Sequence, residues 1–279
     1  LLFVALWSTG FIGAKFGLPY AEPLTFLSLR YAIVLVLMGA LAWYQKATWP
    51  PTAREWLHIG VSGVLVHGMY LGGVFIAIGH GLPAGIAAIV VGLQPVLTAL
   101  GAGLLLGERV RPTQWAGLAL GFVGVAMVVA HKVAGNTGGG MVLPMLLPAL
   151  IALLAITAGT LYLTRFCPAF DLRTGSVIQF LPTLALTALA AMATETMVVH
   201  WTPSFVFALG WLVLVLSLGA VTLLNVLIRN GSAVNVASLF YLVPPATAVV
   251  AWALFGETLT GLALLGMVLT VLGVWLARK

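Results

Sequence analysis

Residues 105–117 read LLGERVRPTQWAG, and residues 254–266 read LFGETLTGLALLG, 149 positions later. Gly107 falls in register with Gly256, Glu108 with Glu257, and Gly117 with Gly266, but Arg109 and Arg111 give way to Thr258 and Thr260. The same offset pairs Leu93 with Leu242, Pro95 with Pro244, Thr98 with Thr247, Ala84 with Ala233, Gly124 with Gly273, and Gly10 with Gly159. A chain that repeats a motif and strips out its positive charge keeps a fold and changes its surroundings.

Those surroundings follow from composition. Of 279 residues, 62% are hydrophobic and 6% charged, against about 25% charged in a soluble domain. So apolar a chain cannot cover a water-exposed surface, and the reading is an all-α, polytopic membrane protein. The net charge of +6 then reflects Lys and Arg in short loops, which orient membrane helices, and no nucleic-acid partner is expected. One cysteine, Cys167, excludes an internal disulfide and leaves too few thiols for a Cys-rich metal site; no metal or cofactor is expected. Residue 1 is leucine, so a short leading segment is expected ahead of it. Lys15 and the lack of a small-x-small cleavage site argue against a signal peptide in residues 1–18.

A bilayer core takes about 20 apolar helical residues. Ten spans are expected, near 1–18, 24–43, 56–79, 83–106, 113–130, 142–163, 174–193, 204–228, 232–255 and 261–277, separated by Pro- and Gly-bearing breaks. With the N-terminus inside, Lys46, Arg54, Arg109, Arg111, Arg165, Arg173, Arg229, Arg278 and Lys279 fall on the inner side and Lys132 alone on the outer side. This bias puts both termini in the cytoplasm. Two halves of five spans each, an odd number, must cross the membrane in opposite senses. GERVRP then lies inside, where arginine is favoured, and GETLTG lies outside, where it is not. The expectation is two inverted five-helix repeats, residues 1–132 and 141–279, joined by an outer Gly-rich loop at 133–140.

The run Trp7-Ser-Thr-Gly-Phe-Ile-Gly-Ala-Lys15, the pair Arg30-Tyr31, and Pro95 and Pro244 each followed by a Gly-Glu pair resemble the drug/metabolite transporter superfamily in its ten-helix form with two EamA-type halves. The overall likeness within it is to the YddG-type exporters of aromatic amino acids. The resemblance covers the whole chain and implies a multi-pass carrier of the bacterial inner membrane, not an enzyme, exporting small metabolites such as amino acids. The second half departs from the first where Lys15 and Arg30 become Thr164 and Gln179, so a symmetric pair of cationic sites is not implied.

Inverted-repeat transporters bind solutes near the midplane, beside interrupted helices. Pro95, and Pro244 with Pro245, fall near the middles of spans four and nine, where proline removes a backbone hydrogen bond; they mark either a cavity wall or a packing kink. At similar depth lie Trp7, Phe11, His67, Tyr70, Gln94, Thr98, Ser238 and Tyr241, the candidate substrate-binding set. Aromatic walls suit flat or cationic solutes. The alternative for His67 and Gln94 is an interhelical hydrogen bond, and for Trp7 and Tyr241 plain packing. Lys15 and Arg30 are the two cations within spans; they attract a substrate carboxylate, snorkel to headgroups, or pair with Glu22, Glu195 or Glu257. All six acids map to loops or span ends, which favours facilitated movement or coupling through His67 over a buried-carboxylate proton relay.

Gly117/Gly121 and Gly68/Gly72 have GxxxG spacing, which allows close helix contact within a monomer or, more weakly, a dimer. The alternatives to an amino-acid exporter are a multidrug or other metabolite carrier and a channel of the same fold. A distant one is an intramembrane serine protease, from Gly60-Val-Ser62-Gly63 and His131. On the expected topology Ser62 and His131 lie at opposite ends of a core about 30 Å thick, far beyond nucleophile–base reach.

Overall fold

The computed structural model describes the chain except at residues 1, 83–86, 88–89, 108, 135–141, 168–169, 256–258 and 279, and gives the backbone alone at 11, 12, 15, 129–134, 142–145, 251, 254 and 255. Among the described residues the structure is helical, with one isolated antiparallel bridge between Ala21 and Val199. The helices are α1 (Leu2–Gly17), α2 (Pro23–Tyr44), α3 (Ala53–Gly79), α4 (Gln94–Leu105), α5 (Pro112–Ala134), α6 (Val142–Phe166), α7 (Leu172–Thr194), α8 (Pro203–Asn230), α9 (233–255) and α10 (Gly261–Ala277). Stretches of α2, α3, α6, α7, α8 and α9 are long and apolar enough to cross a membrane, and α4, α5 and α10 hold shorter apolar stretches. The outward faces are apolar as well, with Leu104, Val36 and Met192 among the most exposed side chains, as a lipid-facing surface requires. Trp43, Trp49, Trp56, Trp201 and Trp275 are exposed near helix ends, where aromatic belts belong.

Local chemistry sets the helix starts. The side chains of Thr52, Asp171, Thr202, Ser232 and Thr260 each accept a backbone N–H from the first turn that follows, a contact worth about 1 kcal/mol. Beyond the end of α4, Gly107 adopts the left-handed region at φ 69°, the conformation glycine allows after a helix C-terminus.

The prolines fall differently from a mid-helix kink. After turn residues at 92 and 93, α4 begins at Gln94. Helix α9 is Ala233–Ser238, a 3₁₀ turn Leu239–Leu242, then Val243–Phe255. Pro95, Pro244 and Pro245 therefore occupy first turns of new helical segments, where a missing N–H leaves no bond unmade. Each break precedes its proline.

Element bounds recur at the offset seen in the sequence. Helix α1 ends at Gly17 and α6 at Phe166; α4 begins at Gln94 and the last segment of α9 at Val243; α5 begins at Pro112 and α10 at Gly261. Helix α3 carries a π-helical segment at Val64–Met69, and α8 carries one at Leu212–Ala220.

Two antiparallel pairs form the frame. Helices α5 and α10 touch backbone to backbone: a β-carbon on Gly117 would lie 2.4 Å from Ala277 N, and one on Gly273 would lie 2.4 Å from Gly121 N. The Gly117/Gly121 face is thus spent inside the chain. Helices α2 and α7 are tied at both ends. At one end the Glu195 carboxylate accepts from Leu24 N, Thr25 N and Thr25 Oγ1, each at 2.7 Å, meeting orphan donors at the positive end of α2. There too Glu22 accepts from Thr196 N at 2.7 Å and Thr196 Oγ1 at 2.6 Å. At the other end Thr174 Oγ1 donates to Thr48 O at 2.8 Å, and Arg173, ion-paired with Asp171, donates to Gln45 Oε1. Around this frame α3 packs on α6 and α1 on α8.

Candidate functional site

Between α1, α2, α3 and α8 lies a cavity of about 40 Å³ lined by Trp7, Gly10, Arg30, Tyr70, Leu212 and Leu216, among others. The sequence gives each helix a polar or aromatic side chain at this level, and the π-helical turns of α3 and α8 bring Tyr70 and Leu212–Leu216 to the same wall. Arg30 is 4% exposed, and its Nε donates to Ser217 Oγ at 2.9 Å. A guanidinium carries five N–H donors, and among the described residues no carboxylate lies against this one. The expectation that Arg30 pairs with Glu22 or Glu195 is corrected: both carboxylates are taken by backbone N–H groups and threonines at the end of the α2–α7 pair. Glu257 and the side chain of Lys15 lie outside the described residues.

A buried cation is costly inside a membrane and makes a candidate functional position. At Arg30 it faces an indole and a phenol. Trp7 is held by edge-on contacts to Phe240 (centroids 5.4 Å apart) and a tilted contact to Phe3 (5.2 Å). The cavity can hold a few water molecules, each needing about 10–15 Å³ by this measure, and is too small for an amino acid. Leu212 and Leu216 narrow it by packing on Gly13 and Gly10 of α1.

Of the expected site residues, the structure brings Trp7, Tyr70 and Arg30 together. Phe11 has no described side chain. His67 is buried in the π-helical segment of α3, its ring stacked on Phe180 at 4.5 Å with Nδ1 unpartnered and its carbonyl accepting Tyr31 Oη at 2.7 Å. It is not among the residues that line the cavity. Gln94 and Thr98 are fully buried and bond each other at 3.3 Å. Ser238 donates to Asn235 O at 2.9 Å, and the Tyr241 ring packs near Gly121 with its hydroxyl unpartnered. None of these four lines the cavity. Ser62 donates to Ile59 O and accepts from Gln179 Nε2 at 3.1 Å; its hydroxyl is engaged in helix contacts, and the side chain of His131 lies outside the described residues.

Ser217, Phe240 and Phe3 were not singled out from sequence. The only signal for Ser217 was a polar residue in an otherwise apolar run, LVLVLSLGA.

The comparisons agree with this architecture. The profile of the EamA-like transporter family matches residues 1–130. The Bacillus subtilis uncharacterized transporter YvbV is 30% identical over 99% of this chain and 88% of its own length. The Escherichia coli uncharacterized inner membrane transporter YedA is 26% identical over 97% and 89%. A Salmonella typhimurium protein described as a probable amino-acid metabolite efflux pump is 28% identical over 99% and 92%. A crystal structure superposes with a TM-score of 0.80 at 20% identity, covering 99% of this chain and 94% of the other, which establishes the fold. With likeness running the whole length of the polypeptide and apolar helices throughout, the chain belongs to the EamA-like transporters of the drug/metabolite transporter superfamily and is a multi-pass cell-membrane protein.

Proposed function

We propose that this transporter is a carrier that exports small metabolites, amino acids and aromatic amino acids among them, by alternating access around the Arg30 cavity. It is built on this reading from two inverted halves, residues 1–132 and 141–279, with both termini cytoplasmic. The single observation that carries the substrate class is Arg30, a buried guanidinium with a serine for a partner, walled by Trp7 and Tyr70. A carboxylate would complete its donors, and the two rings would cover an aromatic or apolar side chain. The inverted halves are supported by the recurrence of helix ends, of broken α4 and α9, and of π-helical segments at one offset. The Salmonella relative described as a probable amino-acid metabolite efflux pump supports the direction and the solute. A cavity of about 40 Å³ disfavours an open channel, and a glycine seam buried between α5 and α10 favours a monomer.

The test is flux of labelled phenylalanine, threonine and phenethylamine in liposomes holding the purified protein, with and without a pH gradient. Saturable movement of the amino acids, with phenethylamine excluded, is the expected result. Equal movement of phenethylamine would remove the carboxylate from the argument, and non-saturable flux would favour a channel. Dependence on the pH gradient would assign coupling, with His67 the residue to test.

A further inference from the structure

A second cavity, of about 210 Å³, opens between the ends of α6 and α8, lined by Thr164, Cys167, Phe170, Asn225 and Arg229 among others. On the topology proposed above it lies at the cytoplasmic end. One Arg229 N–H donates to Phe170 O, and its guanidinium carbon sits 4.3 Å above the centre of the Phe170 ring. That clamp fixes the plane of the guanidinium and leaves Nε buried without an acceptor. One turn earlier on α8, Asn225 is 3% exposed and its Nδ2 also lacks an acceptor. Residues four apart share a helix face, so two residues with unmet donors line one cavity. The carboxylate of Asp171 is engaged by Arg173 through its backbone N, its Nε and its terminal nitrogen. Buried donors without acceptors are costly and call for an explanation.

We infer that the Asn225–Arg229 pocket is an anion site that receives the carboxylate of the solute at the inner mouth, a docking station distinct from the Arg30 cavity. It rests on the carrier reading for the identity of its occupant. The pocket is about five times the volume of the Arg30 cavity. Its donor set is an amide N–H and a guanidinium N–H, the pairing that recognises a carboxylate or a phosphate oxygen.

Cys167, the only cysteine of the chain, lines this pocket and serves as its reporter. The full chain is placed in phosphatidylcholine nanodiscs and labelled with anionic sulfonatoethyl or cationic trimethylammonioethyl methanethiosulfonate, each rate normalised to that with mercaptoethanol. The anionic reagent is expected to react about ten-fold faster. Arg229→Gln should abolish that preference, Arg229→Lys should keep most of it, and Arg30→Gln should leave it unchanged. Phenylalanine should slow the anionic reagent and phenethylamine should not. Equal normalised rates, a preference that survives Arg229→Gln, or no labelling by either reagent would overturn the proposal. So would protection by inorganic phosphate alone, or protection that appears on adding phosphatidylglycerol without phenylalanine, which would assign the pocket to free phosphate or to a lipid headgroup. Labelling needs no transport. A chain that shows the preference but moves no solute in liposomes keeps the anion site and loses the carrier reading; one that transports without the preference keeps the carrier and loses this station.

Discussion

Replacing Gly273 by alanine should part α5 from α10. A β-carbon there would lie 2.4 Å from Gly121 N, 2.6 Å from Gly121 Cα and 2.7 Å from Gly117 O. All three are backbone atoms, so no side chain can swing aside. Carbon contacts are comfortable at about 3.5–4.0 Å, and relief requires the helices to separate by about 1 Å. A gap of that size forfeits about a quarter to a half of the dispersion energy of each contact it opens. The loss extends along the seam, because β-carbons on Gly117, Gly124 and Gly266 would also meet the opposite backbone, at 2.4, 2.6 and 2.6 Å. The cost is about 3 kcal/mol, in the upper part of the range for overpacking, offset by the gain of about 1 kcal/mol that alanine has over glycine in a helix. Gly39 of α2, whose β-carbon would meet nothing within 4 Å, is the control; Gly39→Ala keeps only the gain. Unfolding in dodecylmaltoside micelles by a rising fraction of dodecyl sulfate, followed by tryptophan fluorescence, should move the two midpoints in opposite directions. A Gly273→Ala protein that unfolds at the parent's midpoint would refute the seam and the rigidity assigned to it.

Arg30→Gln should lower the transport efficiency of phenylalanine flux in liposomes by about ten-fold or more, the loss of one charge-assisted hydrogen bond, without lowering the melting temperature, since removing a buried charge that meets no carboxylate among the described residues relieves desolvation; a lower melting temperature with full flux would make Arg30 structural. Glu195→Ala, which removes three contacts at the start of α2, should cost about 1–2 kcal/mol in the same micelle assay. Hydrogen bonds from Thr196 and Met197 hold the Glu22 carboxyl below its ordinary 4.5. Its contribution is therefore complete above that value and is lost as pH falls below it through the lower folded value, so the protection factor of the Thr196 amide, its exchange rate corrected for the intrinsic pH dependence, should fall there, and Glu22→Gln should remove that pH step.

Much of the frame was legible because bilayer physics simplifies the reading. Length, hydropathy and turn residues place most of the described helices to within a few residues, but α4 begins at Gln94, eleven residues after the expected start of the fourth span at 83; the 149-residue offset relates the starts of α5 and α10. The candidate site was less legible. Trp7, Tyr70 and Arg30 were found because polar and aromatic groups are conspicuous in apolar helices. Their surroundings were not, since most of these helices are apolar on all sides and carry no stripe to tell which face points inward. The π-helical turns leave no mark in hydropathy, yet they shift the register of everything after them, which is why His67 stacks on Phe180 while Tyr70, three residues on, reaches the cavity. The prolines were read at interrupted, mid-span positions, where the structure also breaks the helices; it puts each proline in the first turn after the break rather than at a kink within a continuous helix, a difference that sequence does not show because the two look alike.

The ties at both ends of the α2–α7 pair bear on how the molecule can move. Two helices tied at both ends keep their mutual angle, and the glycine-fused α5–α10 pair resists sliding of one helix along the other. On the carrier reading, widening of the space around Arg30 then falls to the helices outside these two pairs, with Arg30 itself carried on a tied pair.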